Sequence, residues 1–203
     1  PMPEEFEARA GAPQQPPQEG AEEQEKLPQE ELFYWLQTLV TAIVCIVLVF
    51  TFLGRITRVV GHSMDDTLAD GELLAVWSLG YEPEQGDIVV LNKTTADFLE
   101  GEAIVKRVIA LEGQTVDIDY QTGTVYVDGE ALDEPYLNEP MEEPWYEDLT
   151  SVTVPEGSVF VMGDNRNHSN DSRDVTLGTV DTRYLLGKAE FICFPFSDFG
   201  RIG

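Results

Sequence analysis

Residues 103–129 read AIVKRVIALEGQTVDIDYQTGTVYVDG, and the fold class turns on them. β-Branched residues dominate, and apolar and polar residues alternate through TVDIDY (115–120) and TVYVDG (124–129). Alternation at period two is the signature of a half-buried strand. The stretch predicts a strand over 103–111, then a hairpin over 115–129 turning at Gln121–Gly123. The pattern recurs outward in both directions: ELLAVWS (72–78), DIVVLN (87–92), SVTV (151–154), SVFVMG (158–163) and KAEFICF (188–194). Gly-Asp, Asp-Gly and Pro-containing breaks separate these runs. Residues 130–149, EALDEPYLNEPMEEPWYEDL, are rich in Pro and Glu and read as an exposed excursion. The expectation is a mainly β domain over 55–203 with an inserted sub-domain around 115–150.

Before this domain stands LFYWLQTLVTAIVCIVLVFTFLG (32–54), without a charge between Glu31 and Arg55. Twenty-three helical residues at about 1.5 Å each can cross a hydrocarbon core of roughly 30 Å. Phe33, Tyr34 and Trp35 form an aromatic belt at one end. A cleaved leader is the rival reading, but the run is too long, has no basic flank and follows a 31-residue acidic stretch. A transmembrane helix over 32–54 is expected. Residues 1–31, rich in Glu, Gln, Pro and Ala, cannot bury enough apolar surface to offset their ordering entropy and read as a disordered acidic tail. Arg55 and Arg58 after the helix, against Lys26 before it, cast a weak vote for a cytoplasmic C-terminal side.

Composition excludes more than it assigns. The 203 residues carry 38 acids against 12 bases, a formal net charge of −26. A phosphate backbone needs a basic face, so nucleic acid is not an expected partner. Nor is polybasic adhesion to anionic headgroups. Residues 1–31 hold nine acids and two bases, so the excess is shared between the tail and the rest. The two cysteines, Cys45 and Cys193, are far apart and expected to be free thiols. No cluster has metal-ligand spacing, so no metal or other cofactor is expected.

Three segments break the strand pattern with polar and small residues: GHSMDDTL (61–68), IVKRVI (104–109) and GDNRNHSNDSR (163–173). Lys106 and Arg107 are adjacent in a strand, so they point to opposite faces and one of them faces the core. Desolvation lowers a lysine pKa, and a neutral amine beside a hydroxyl can act as a general base. Arg107 stays protonated and cannot. An edge-strand lysine that guards against aggregation is the alternative. Ser63, in a turn where Gly61 permits unusual backbone angles, is the natural nucleophile. The third segment suits a hydrogen-bonded loop that buttresses a site. A Ca²⁺ loop is the rival there, but the EF-hand order of oxygens, with its Gly and Glu, is missing.

Taken together, GHSMDDTL, GDIVVL (86–91), KRVIALEGQ (106–114) and GDNRNHSNDSR resemble, in order, the boxes of bacterial type I signal peptidases. The usual forms are Gly-x-Ser-Met-x-Pro-Thr-Leu, Gly-Asp-Ile-Val, Lys-Arg-Val-x-Gly-x-Pro-Gly-Asp and Gly-Asp-Asn-Arg-x-x-Ser-x-Asp-Ser-Arg. The resemblance spans roughly residues 34–200 and implies a β-rich catalytic domain tethered by one N-terminal membrane helix. It also implies a Ser/Lys dyad, Ser63 and Lys106, that removes signal peptides after small residues as preproteins leave the secretion translocon. Ser169 falls where a family serine hydrogen-bonds the lysine amine. Met64 falls where a side chain packs against substrate and lysine. Asp171 and Arg173 fall where an ion pair braces the site with Arg107 beside it; Asp164, Asn165 and Ser172 share that bracing box.

The departures are Asp66 for Pro, and Ala110, Glu112 and Gln114 for Gly, Pro and Asp. They put loop geometry in question more than chemistry. Gly61 stands where some members place an oxyanion-hole serine, which leaves the Ser63 backbone N–H as the donor. The resemblance places residues 55–203 outside the cytoplasm, against the charge vote, with membrane lipid and secretory preproteins as partners. Two alternatives stand beside it. One is a triad of Ser63, His168 and Asp171 or Asp164. The other is a non-cleaving chaperone or assembly factor of similar build.

Overall fold

The computed structural model describes residues 28–52, 54–65, 67–93, 102–142 and 149–202. Residues 1–27 of the expected tail lie outside that set, as does Asp66. Helix α1 runs Pro28–Phe52. It starts before and ends before the expected 32–54, because Glu30 and Glu31 suit the positive end of a helix dipole and Gly54 already opens the first strand. Within it, Glu30–Val49 is long and apolar enough to cross a membrane.

The remainder is mainly β, as expected. Every strand read from the sequence is present: β2 (Leu73–Trp77), β3 (Ile88–Leu91), β4 (Ile104–Leu111), β5 (Thr115–Asp119), β6 (Thr124–Val127), β8 (Ser151–Thr153), β9 (Ser158–Met162) and β11 (Leu185–Phe194). Four more were not foreseen: β1 (Gly54–Arg58), β7 (Glu130–Ala131), β10 (Val180–Asp181) and β12 (Gly200–Arg201). The large sheet has the order β1-β2-β11-β3-β4-β9-β10, with β12 paired to β11, and a second sheet has the order β7-β6-β5-β8. All pairings are antiparallel. The predicted hairpin closes at Asp119↔Thr124.

Strand β4 decides where the chemistry can sit. It lies between β3 and β9, and the Lys106 side chain is buried, so the reading of Lys106 as a solvent-facing guard of an edge falls. Both faces are covered: Val105 packs with Val59, Met64, Leu68 and Val90, Val108 with Val89, Val161 and Leu177, and Ile109 with Val116, Val125 and Phe160 of the sheet junction. Lys106 and Arg107 are therefore both buried, at 2% and 6% exposure, rather than one in and one out. Alternation across a strand predicts faces, but a strand buried on both sides has no solvent face. Of the 130–149 excursion, 143–148 lie outside the described residues; the described part is exposed only in part, since Met141 joins the junction core and Glu134 and Tyr136 are half-buried.

Candidate active site

The Ser63 turn is built by local chemistry. Gly61 sits at φ +87° and its N–H donates to Asp70 Oδ1 at 2.8 Å. Val59 N–H donates to Glu72 O at 2.8 Å, and Gly71 N–H to Val59 O at 2.9 Å, closing the loop over 59–72. Met64 and Leu68, one helical turn apart, anchor it in the core at 1% exposure each. Met64, expected to meet substrate and lysine, is buried in the cluster of Val59, Leu68 and Val105, where it fixes the turn.

Lys106 reaches this turn from β4. Its Nζ lies 2.6 Å from Ser63 Oγ and donates to Val105 O at 3.1 Å. Burial pushes the amine down to about 8; Asp171 and Asp164 pull it back up, and Arg173 adds a small downward push. Ser169 Oγ, expected to meet the amine, is buried and makes no hydrogen bond with it in this structure; its hydroxyl acts on the Asp171 carboxyl, which it helps to hold low. Ser169 also faces Gly163, where a Cβ would fall 2.3 Å from Ser169 Oγ and 2.4 Å from Ser63 O. Only glycine allows that approach.

The third box braces the turn. Asn165 N–H donates to Ser63 O at 3.1 Å, and Asn165 Nδ2 to His62 O at 2.9 Å. Asp164 takes both Nε and Nη2 of Arg107, at 2.8 and 2.7 Å, and the Thr67 hydroxyl at 2.5 Å. Arg107 Nη1 donates to Gly86 O at 2.9 Å, which gives the GDIVVL box its part. Asp171 accepts from Arg173 Nε at 2.8 Å and from Gly163 N–H at 3.0 Å. Burial would raise the Asp171 carboxyl, but the charge and hydrogen bonds of Arg173 outweigh it and hold it below the usual range. Ser172 ties the box to β9, its N–H donating to Val161 O and its Oγ accepting from Val161 N–H. Such short, charge-assisted contacts make a stiff frame.

The same contacts dismantle the triad. Asp164 and Asp171 are each engaged by an arginine, and His168 is exposed in a 3-10 turn, Arg166–His168. A half-buried Ser63 beside a buried Lys106, held by three sequence boxes, is the arrangement that remains, and comparison with known proteins settles the chain's kinship. A family model described as "Signal peptidase, peptidase S26" matches residues 32–194. The chain belongs to the signal peptidase family.

Two curated relatives each match more than four fifths of it. Signal peptidase I of Bacillus licheniformis is 38% identical over 186 residues, 87% of this chain and 96% of its own. The probable signal peptidase I-1 of Synechocystis is 40% identical over 172 residues, 81% and 84% of the two chains. A crystal structure of a signal peptidase I from Enterococcus faecalis V583 is 33% identical and covers 53% of this chain and 97% of its own, with a TM-score of 0.44.

Two of the departures from the usual signal peptidase boxes are accommodated by hydrogen bonds. Glu112 Oε2 accepts from Gly157 N–H at 2.6 Å, and Gln114 Oε1 accepts from Leu111 N–H at 2.8 Å. Thr67, Glu134 and Tyr136 also touch the frame, and sequence reasoning missed all three. Thr67 lies inside a matched box and could have been found there. Glu134 and Tyr136 lie in the segment read as an excursion, with no local signal.

Proposed function

We propose that this signal peptidase removes N-terminal signal peptides from secreted preproteins, with Ser63 as nucleophile and neutral Lys106 as general base. The 2.6 Å contact between the buried Lys106 Nζ and the half-buried Ser63 Oγ carries the reading. Lys106 takes the Ser63 hydroxyl proton as Oγ attacks the scissile carbonyl carbon. The Ser63 backbone N–H stabilises the oxyanion. The tetrahedral species collapses, Lys106 gives the proton to the leaving amine, and the Ser63 ester remains. Water then yields a proton to Lys106 and attacks the ester carbonyl; as the C–Oγ bond breaks, Lys106 returns the proton to Ser63 Oγ and the product leaves as its carboxylic acid.

Strand β4 pairs with β9 only from Arg107 onward, opposite Met162. Ile104–Lys106 run past the end of β9 on that side, which supports an extended substrate lying there as an added strand, with Val59–His62 as the other wall. Residues 55–203 act outside the cytoplasm, where preproteins leave the translocon, and 115–150 form an inserted sub-domain of the catalytic domain.

Membrane lipid is the second partner. An apolar groove of about 600 Å³ is lined by Ile56, Ala75, Trp77, Phe191 and Cys193, and its strand β1 begins two residues after α1 ends. A variant whose only tryptophan is Trp77 should show quenching by brominated acyl chains after reconstitution; unquenched fluorescence overturns the contact. Preprotein cleavage by wild type, with loss in both Ser63→Ala and Lys106→Ala, tests the dyad; cleavage surviving in Lys106→Ala overturns it. Protease protection of residues 55–203 in intact cells overturns the sidedness.

A further inference from the structure

Three arginines are buried around the site, Arg107, Arg166 and Arg173. A buried guanidinium without a carboxylate is costly, so each needs a partner. Arg107 has Asp164 and Arg173 has Asp171, both from the 163–173 box. The partner of Arg166 comes from elsewhere. Its side chain is 0% exposed, and Nη1 and Nη2 donate to the two carboxylate oxygens of Glu134, Nη1 at 3.1 Å; the Glu134 side chain is 7% exposed. Glu134 follows β7 in the chain leaving the small sheet.

Tyr136, two residues on, completes the unit. Its hydroxyl donates to Glu134 Oε1 at 2.9 Å. Its ring lies against the Arg107 guanidinium, with Cζ 3.9 Å from the ring centroid. Two buried cations of the site are thus gripped by one three-residue segment. Asn167 adds a second seam to the same stretch, donating to Glu139 Oε1 at 2.8 Å and accepting from Glu142 N–H at 2.9 Å.

Both grips lead to the reacting atoms. Arg166 Nε donates to Gly163 O at 3.1 Å, and Arg166 O accepts from Arg173 Nη2 at 2.7 Å. Gly163 is the residue packed against Ser63 O. Arg107 is next to Lys106 on β4 and holds Asp164, whose other contact is Thr67 on the Ser63 turn. One arm of the segment thus steadies the nucleophile's turn, and the other steadies the strand of the base.

We propose that Glu134-Pro135-Tyr136 is a strap that positions Ser63 and Lys106 for cleavage, acting through Arg166 and Arg107. The inference rests on the dyad reading above. The strap makes the small sheet part of the catalytic apparatus rather than an ornament of the fold. Glu134 and Tyr136 are positioning residues, so their effect falls on turnover more than on substrate binding.

The full chain in detergent is assayed on a signal-peptide substrate as wild type, Ser63→Ala, Glu134→Gln, Tyr136→Leu and Tyr136→Phe. Each is followed by kcat, KM, pH profile and thermal midpoint. Expected are kcat losses of about tenfold or more in Glu134→Gln and Tyr136→Leu, with KM within about twofold, well below their unfolding temperatures. Tyr136→Phe keeps the ring over Arg107 and recovers most of what Tyr136→Leu loses. Should Glu134→Gln fail to fold, the Tyr136 pair decides alone. A folded Tyr136→Leu with wild-type kcat and pH profile overturns the strap, as does a lowered thermal midpoint with kcat untouched. If wild type does not cleave, or Ser63→Ala cleaves equally well, the dyad reading fails and takes the strap with it.

Discussion

Lys106 with a pKa of about 8 is mostly protonated at pH 7, and a protonated amine cannot take the Ser63 proton. In the proposed mechanism only the neutral fraction works, and below the pKa that fraction falls tenfold with each pH unit. We therefore expect kcat/KM to rise about tenfold per unit up to about pH 8 and then level, read from a pH–rate profile. A flat profile through that range would remove Lys106 as the base. Gly163 makes the second residue-scale prediction. A methyl group there meets Ser169 Oγ at 2.3 Å and Ser63 O at 2.4 Å, both of which must shift. Gly163→Ala should lower kcat more than tenfold and cost about 1–3 kcal/mol in urea unfolding, as overpacking does. That Ser63 and Lys106 belong together was legible through the resemblance of their boxes to signal peptidases; the lysine in an apolar strand was a local signal, whereas a serine in a turn is ordinary. Glu134 and Tyr136 were not legible, because a glutamate in a Glu-rich stretch is unremarkable until Arg166 is found beside it.

Strand β4 was legible as a strand and illegible as to its position in the sheet. Its apolar run was compatible with an edge or a centre, and only pairing with β3 and β9 makes both Lys106 and Arg107 interior. Strands β7, β10 and β12 have two residues each, too few to show a period. In β1, GRITR, two arginines read as the flank of the membrane helix rather than as the exposed positions of a strand. Strand β11 begins three residues before the run that announced it, because Gly187 interrupts the apolar pattern. The cost of placing β4 centrally is a buried cation held by Asp164. Asp164→Asn leaves Arg107 without its charge partner, and should destabilise the fold by about 3–5 kcal/mol in denaturant titration. An unchanged midpoint would mean that Tyr136 and the Gly86 carbonyl suffice to hold the guanidinium.

Across the whole molecule positive charge is scarce, with 12 basic residues against 38 acidic. Three of the arginines are spent inside the frame around the dyad. Each is paired with a buried carboxylate, Asp164, Glu134 or Asp171, so the frame is close to neutral and the exterior keeps the chain's negative charge. Distance is a better discriminator. Helix α1 ends at Phe52 and Ser63 follows eleven residues later. At no more than about 3.6 Å per residue, that leash is shorter than about 40 Å even when taut. A scissile bond held farther than this from the bilayer is out of range whatever its sequence. The linker is thus a ruler, and the hydrophobic stretch of a preprotein supplies the zero mark. A flexible insertion of about ten residues at position 53 should let the enzyme process reporter preproteins whose cut site has been moved outward by a spacer. The parent chain should lose those reporters as the spacer grows. The single residue between α1 and β1 would then determine which proteins are processed as much as any pocket beside Ser63.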